Sequence, residues 1–291
     1  MATILVTGSN GQVGSELQYL AKNKPEHQWI WTDIAELDIT NENSVTSFFQ
    51  KHQPDYVINS AAYTAVDKAE EQEELCEKIN VQGPELLAKS CLAHNATIIQ
   101  ISSDYVYDNN ENRPLIESDA TAPKSVYART KLAGDEVTMS MGKNIVIRTS
   151  WVYSSFGHNF VKTMKRLGSE RPALSVVDDQ IGTPTYARDL AKVLIGLVDH
   201  NLNSSNNKLT GVYHYSNEGV CSWYDFALAI FEEEKLDCNL KPIPSSEYPT
   251  PAARPTFSVL NKNKIKRDLG IKIPHWREAL RQCLVEINRS V

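Results

Sequence analysis

Cysteine is scarce in this 291-residue chain: Cys76, Cys91, Cys221, Cys238 and Cys283 are all there is. The number is odd and no two lie close together, so neither a disulfide framework nor the ligand spacing of a structural metal is present. Cysteine used this way fits a reducing compartment, and a cytoplasmic location is expected. Long apolar runs are missing as well; none approaches the ~18 residues that a membrane span needs. The chain opens directly on a strand-like run, so no signal peptide is expected. Charge of one sign is not concentrated anywhere. Formal net charge is -6, from 30 Lys+Arg against 36 Asp+Glu, and no basic surface for nucleic acid is foreseen. The acidic runs Glu70-Glu71-Gln72-Glu73-Glu74 and Glu232-Glu233-Glu234 read as solvated helix faces, and no internal repeat is visible.

What is present is 41% hydrophobic residues, enough for a sizeable core in one large domain or two interleaved lobes. Thr3-Ile-Leu-Val-Thr7 is a short β-branched run, read as a buried strand. Gly8-Ser9-Asn10-Gly11-Gln12-Val13-Gly14 follows at once, and Ser15 to Ala21 reads as a helix. Strand, glycine loop and helix in that order make a dinucleotide-binding turn. Gly8 allows the tight turn, Gly11 lets the backbone approach a pyrophosphate, and Gly14 lets helix and strand pack closely. The helix N-terminus, with Asn10, Gln12 and Val13 around it, then faces the phosphates.

Gln28 to Thr32 is a second strand, ending at Asp33. An acidic group there can accept hydrogen bonds from the adenosine ribose, favouring NAD over its 2'-phosphate form; the alternative is an ordinary exposed Asp in a turn. Asp38-Ile39 would lie at the adenine, or Asp38 only shapes the turn into the helix that Thr40-Asn-Glu-Asn-Ser-Val starts. Asp55 to Asn59 is the next strand, running into small residues, Ser60-Ala61-Ala62-Tyr63, that leave room for a cofactor backbone. Helical pattern runs from about Glu70 to Ala93, interrupted at Gly83-Pro84. Thr97 to Ile101 is a strand ending in Ser102-Ser103-Asp104-Tyr105-Val106-Tyr107, and Asn144 to Arg148 is another, emptying into Thr149-Ser-Trp151. Strand and helix alternate, so the class is α/β with a parallel, Rossmann-type doubly wound sheet.

The segment Ser125 to Glu136 reads as a helix that carries Tyr127 and Lys131 on one face. A free tyrosine titrates near pKa ~10. An ammonium one turn away is expected to pull that value down toward neutrality, so that the pair can protonate an alkoxide formed by hydride addition to a carbonyl. A half-buried Tyr beside a solvated Lys is the plain alternative. Ser103, at a strand's carboxyl end, can hydrogen-bond the reacting carbonyl oxygen, or merely cap its turn. Trp151 can offer a flat apolar face to a sugar, or belong to the core. Gln180, Thr183 and Thr185 lie in a loop broken by Gly182 and Pro184 and are expected to line the substrate cleft. Arg254 is the best candidate for a nucleotide's negative charge, against a surface Arg in a Pro-rich loop.

The glycine turn, the Asn59-Ser-Ala-Ala62 strand end, Ser102-Ser103 and Tyr127-x-x-x-Lys131 together resemble the extended short-chain dehydrogenase/reductase family. Ser102 to Tyr107, Arg148 to Tyr153, Asp179 to Thr185, Ser222 to Phe226 and Arg254 to Leu260 narrow the likeness to the branch that reduces dTDP-4-dehydro-L-rhamnose. The resemblance covers essentially the whole chain. It implies NADPH or NADH as cofactor and a dTDP-sugar as substrate, with Ser103, Tyr127 and Lys131 as the catalytic set. Lys131 would bind the nicotinamide ribose, and Asp104 and Tyr105 would contact the sugar or its pyrophosphate. Related dehydratases put an Asp-Glu pair after the Ser/Thr, and related epimerising reductases place a Cys there. Asp104-Tyr105 supplies neither, which favours plain carbonyl reduction.

Residues 1–150 would form the cofactor domain, with 175–200 packing back on it, and 151–291 would be mainly a substrate lobe. Some relatives dimerise around magnesium held by carboxylates. Glu16 is in the right helix for that, although an exposed helix Glu is the commoner case, so a homodimer and Mg2+ follow from resemblance only. Two departures stand out: Ser103 replaces the usual Thr, and Asp108-Asn109-Asn110 replaces an Asp-Gly loop. Two other readings stay open. One is a non-enzymatic subunit resembling the methionine adenosyltransferase beta subunit; the other is a 4-ketoreductase of a different nucleotide sugar.

Overall fold

The computed structural model describes residues 1–107, 111–204 and 206–289. The departure at Asp108, Asn109 and Asn110 lies outside the described residues. In chain order the first half runs β1 (Thr3–Thr7), α1 (Gln12–Ala21), β2 (Gln28–Trp31), α2 (Glu42–His52), β3 (Tyr56–Asn59), α3 (Val66–Ala69), α4 (Glu73–Glu77), α5 (Gly83–Ala93), β4 (Thr97–Ser103), α6 (Val126–Ser140) and β5 (Ile145–Thr149). The second half runs β6 (Val152–Tyr153), α7 (Phe160–Glu170), β7 (Ala173–Val177), β8 (Ile181–Gly182), β9 (Thr185–Tyr186), α8 (Ala187–Asn203), β10 (Gly211–His214), β11 (Cys221–Ser222), α9 (Trp223–Glu234), β12 (Asn239–Ile243), α10 (Asn263–Leu269) and α11 (Trp276–Arg289).

Six strands form one sheet in the order β10-β5-β4-β3-β1-β2, and every pairing in it is parallel. A parallel sheet must be covered on both faces, and the strands show how. Ile4, Val6, Ile58, Ile99, Ile145 and Ile147 point to the α1 and α8 layer, while Leu5, Val57 and Ile98 point to the α2 and α5 layer. The period-two alternation of a strand thus feeds two helix layers from one apolar run. The structure is the expected α/β Rossmann-type fold. The edge strand β10 comes from far along the chain and pairs with β5, Gly211 opposite Ile145. A second core, built on Tyr153, Phe226, Trp276 and Leu280, gathers α7, α9 and α11.

Local chemistry sets the helix starts. Asn41 caps α2 by accepting the Ser44 N–H at 3.0 Å, and Ser125 caps α6 by accepting the Ala128 N–H at 3.2 Å. Each satisfies a donor that the first turn would leave orphaned. One expectation needs correcting. Gly83-Pro84 does not interrupt the helical stretch before β4. Pro84 sits at the opening of α5, where its missing N–H costs nothing. The irregularity comes earlier, as a π-helical turn at Lys78–Gln82. That turn brings the Asn80 carbonyl against α6 so closely that a Cβ on Gly134 would lie 2.1 Å from its oxygen.

Candidate active site

A cavity of about 870 Å3 opens at the carboxyl ends of β1, β3, β4 and β5, lined there by Thr7, Ser60, Ser103 and Thr149. Ligands bind at this end of an open α/β sheet because the strands stop and the helix N-termini point inward. The glycine turn forms one wall. Gly8 has φ +63, and a Cβ there would meet the Ala61 backbone at 2.7 Å. A Cβ on Gly14 would meet the Gly8 carbonyl oxygen at 2.6 Å. Both positions therefore need glycine to bring α1 onto the strand ends. The N-terminus of α1 has no side-chain cap; Gly11, whose N–H donates to the Gly8 carbonyl at 3.0 Å, borders the cavity with Gln12 and Val13, whose first-turn N–H groups have no partner within the helix. Those donors and the helix dipole suit a pyrophosphate.

Beyond the end of β2, Asp33, Asp38 and Ile39 line the wall. The Asp33 carboxylate is held by the Asn10 N–H at 3.1 Å and the Ile34 N–H at 2.9 Å. Asp38 accepts from the Thr40 hydroxyl at 2.7 Å and the Thr40 N–H at 2.9 Å, which holds its carboxyl below the usual range. It both shapes the turn and faces the cavity. Ala61 and Ala62 border the cavity as small residues. Asn10, Gly14 and Tyr63 stand behind the wall. Asn10 braces Asp33, and the Tyr63 N–H donates to Asn80 Oδ1 at 2.8 Å while its hydroxyl turns away to Gln72.

At the centre Ser103, Tyr127 and Lys131 meet in the same cavity. The Ser103 hydroxyl donates to Asp104 Oδ1 at 3.1 Å and accepts the Tyr105 N–H at 3.2 Å. Tyr127 packs edge-on to Tyr105 with ring centroids 5.6 Å apart. Lys131 is buried, and its ammonium donates to the Ile101 carbonyl at 2.6 Å. This corrects the expected electrostatics. Burial pushes the Tyr127 phenol above its ordinary value, opposed by the Ser103 hydroxyl and not by Lys131. Burial also pulls the Lys131 ammonium down, and the Asp135 carboxylate one turn further along α6 holds it up. Asp135 is itself paired with Arg148 Nε at 3.0 Å, and Arg148 Nη1 donates to the Tyr107 hydroxyl at 2.5 Å.

Asp104 is buried on the cavity floor, and desolvation pushes its carboxyl up to about 6 against the Ser258 and Ser103 hydroxyls. A raised carboxyl costs the fold stability as it ionises, so the stabilising contribution is complete below the unfolded value and lost as pH rises through about 6. Asp104→Asn should therefore gain stability relative to wild type between pH ~4 and ~7, by up to about 3 kcal/mol. Urea midpoints of both proteins at the two pH values check it; an equal difference at both would refute the assignment.

Another part of the cavity wall holds Trp151 and Trp223, stacked with centroids 3.7 Å apart and planes 9° from parallel. Trp151 has φ +48, a left-handed conformation that costs a bulky residue energy and that clusters at functional sites. Gly182 makes room for it, since a Cβ there would meet the indole at 2.8 Å. Four expected substrate residues are placed elsewhere. Gln180 donates to Ser245 Oγ at 2.9 Å, and Thr183 is fully buried with its hydroxyl on the Gly219 carbonyl at 2.8 Å. Thr185 is fully buried, carried inward by β9. Arg254 makes a two-pronged ion pair with Asp67, at 3.0 and 2.7 Å, so its charge is already matched. None of the four borders the cavity. Reasoning from sequence also passed over Trp223, His158, Asn159 and Thr149, which do border it. The Ser222-x-x-Asp225 capping box was the signal for Trp223, because it fixes that ring at the first turn of α9.

The sequence matches the RmlD substrate binding domain family over residues 1–289. The dTDP-4-dehydrorhamnose reductase of Aggregatibacter actinomycetemcomitans is 39% identical, covering 97% of this chain and 98% of its own. A crystal structure described as a dTDP-4-dehydrorhamnose reductase from Clostridium acetobutylicum superposes with TM-score 0.93 at 42% identity, over 98% of this chain and 99% of that one. A dTDP-4-dehydrorhamnose reductase from Bacillus anthracis, solved in complex with NADP, superposes with TM-score 0.92 at 37% identity, over 98% and 99%.

Proposed function

The chain belongs to the RmlD substrate binding domain family, and on that footing we propose that it reduces the C4 keto group of dTDP-4-dehydro-L-rhamnose to dTDP-L-rhamnose. The observation that carries this reading is the meeting of Ser103, Tyr127 and Lys131 in one cavity walled by the glycine turn. The bound nicotinamide nucleotide supplies the hydride. The α1 N-terminus and the Gly8, Gly11 and Ala61 backbone make the cradle for its pyrophosphate. Lys131, now on the Ile101 carbonyl, would hold the nicotinamide ribose, with the buried Asp135 carboxylate opposing the loss of its proton that burial favours. Ser103 releases its bond to Asp104 and donates to the keto oxygen, fixing it near the Tyr127 phenol. Tyr127 gives its proton to the oxygen as negative charge develops there. The stacked Trp151 and Trp223 offer an apolar face to the deoxysugar. Asp104 and Tyr105 border the space beside it.

The test is oxidation of NADH and NADPH in the presence of dTDP-4-dehydro-L-rhamnose, with the product identified. Formation of dTDP-L-rhamnose supports the reading. Cofactor binding without turnover would overturn it in favour of another sugar nucleotide or a regulatory subunit. Both nucleotides should serve, with NADH ahead in kcat/KM by about 10-fold, since a 2'-phosphate would approach the Asp33 carboxylate at roughly a unit-charge repulsion. Among the described residues bordering the cavity, Lys131 is the only Lys or Arg, and its ammonium is bonded to the Ile101 carbonyl. Asp33→Ser should remove most of that difference; an unchanged ratio would show that the ribose is read elsewhere.

A further inference from the structure

Resemblance points to magnesium at Glu16, and the structure disagrees with it. Glu16 lies on α1 and is wholly buried. Its Oε1 accepts the Ser154 hydroxyl at 2.7 Å and its Oε2 accepts Arg188 Nε at 2.7 Å. Arg188, near the start of α8, reaches on to Glu286 Oε2 of α11 at 3.3 Å. Its guanidinium also lies 4.1 Å from the centre of the Tyr19 ring on α1. Magnesium wants near-octahedral oxygen ligands at ~2.0–2.1 Å, several of them water. Here both Glu16 oxygens are taken, and the charge between the two carboxylates is supplied by a group that stays protonated at any working pH.

We propose that Arg188 is a built-in cation that takes the place of a divalent ion at the junction of α1, α8 and α11, and that it holds the strap over the cofactor groove through Glu16. The strap is Ser154 to Asn159. Ser154 Oγ accepts the Phe156 N–H at 3.0 Å while donating to Glu16. Asn159 Nδ2 donates to the Ser154 carbonyl at 2.7 Å and to Gln12 Oε1 at 3.1 Å, beside the phosphate-facing end of α1. Gly157, His158 and Asn159 border the cavity. The guanidinium, Glu16 and Ser154 are one hydrogen-bonded chain from the outer helices to that border. Arg188 is therefore a positioning residue, remote from the reacting atoms.

Thermal melting of the full chain tests this without any assumption about the reaction. The wild type should melt at the same temperature in EDTA and in millimolar Mg2+, with NaCl matching the ionic strength. Arg188→Ala removes the guanidinium between the Glu16 and Glu286 carboxylates, of which Glu286 keeps Arg289 on its Oε1 at 3.0 Å, so its melting temperature should fall in EDTA and recover by about 5 °C when Mg2+ fills the space the guanidinium left. Arg188→Lys, which keeps a cation, should remain indifferent to the metal. A wild type weakened by EDTA would overturn the proposal, as would an Arg188→Ala protein that folds but ignores Mg2+. If Arg188→Ala does not fold, the wild-type and Arg188→Lys arms decide. The kinetic arm rests on the reductase reading: KM for the nicotinamide nucleotide should rise about 10-fold in Arg188→Ala with kcat within about twofold. A fall in kcat at unchanged KM would refute the positioning role. Absence of turnover in the wild type would instead count against the reductase reading and leave the melting result standing.

Discussion

Tyr127→Phe lowers kcat about 1,000-fold and leaves KM for the nicotinamide nucleotide within about twofold of wild type. The substitution removes one oxygen and little else. The ring keeps its edge-on contact with Tyr105, and Ser103 keeps its bonds to Asp104 and to the Tyr105 N–H. No buried polar group is orphaned, so the loss is chemical rather than structural. The direction of the Tyr127 shift fits a donor. Burial holds the proton on the phenol more firmly than in water. An alkoxide is a stronger base than a phenolate, so the transfer still runs toward product while the phenol stays protonated at neutral pH. Steady-state kinetics, with a fluorescence titration of bound nucleotide, separate the two parameters. Wild-type turnover in this variant would sink the role assigned to Tyr127.

The features written in local sequence came through. The glycine turn is set by contacts within a few residues of Gly8 and by the backbone of Ala61. The α2 start follows from Asn41, and the facing of Tyr127 and Lys131 follows from helical spacing alone. What failed to show depends on partners far apart in the chain. Nothing near Arg254 announces Asp67, which lies on α3 and neutralises it. Thr183 and Thr185 sit in a polar, turn-rich stretch that looks exposed, yet β8 and β9 carry both into the interior. The lysine one turn from the tyrosine was expected to act on it directly. In the folded chain the acceptor for Lys131 is the end of β4, and burial pulls its ammonium down, opposed by Asp135 on the same helix, whose own partner Arg148 lies on β5. Spacing gave the pair; burial against the sheet set the electrostatics.

Lys131→Met should cost more in kcat/KM than Tyr127→Phe does, because it is expected to damage both binding and chemistry, for a combined fall of about 10,000-fold. The ammonium lies in the cavity, and among the described residues the Ile101 carbonyl is its bonded acceptor, so it is available to a ribose hydroxyl there. Methionine is close in length and suits a buried site, and Asp135 retains Arg148 as its counter-ion. The variant should therefore fold normally, bind nucleotide weakly, and turn over slowly even at saturation. The pH profile provides a second sign. In the free enzyme burial pulls the Lys131 ammonium down while it pushes the Tyr127 phenol up, so Lys131 is the first of the two to lose its proton as pH rises. The basic limb of kcat/KM in the wild type accordingly reports Lys131, and it should vanish in Lys131→Met while persisting in Tyr127→Phe. A limb unchanged in Lys131→Met would assign it to another group. Retention of wild-type nucleotide affinity would show that the ribose is held without the ammonium, and the division of labour between Tyr127 and Lys131 would fall with it.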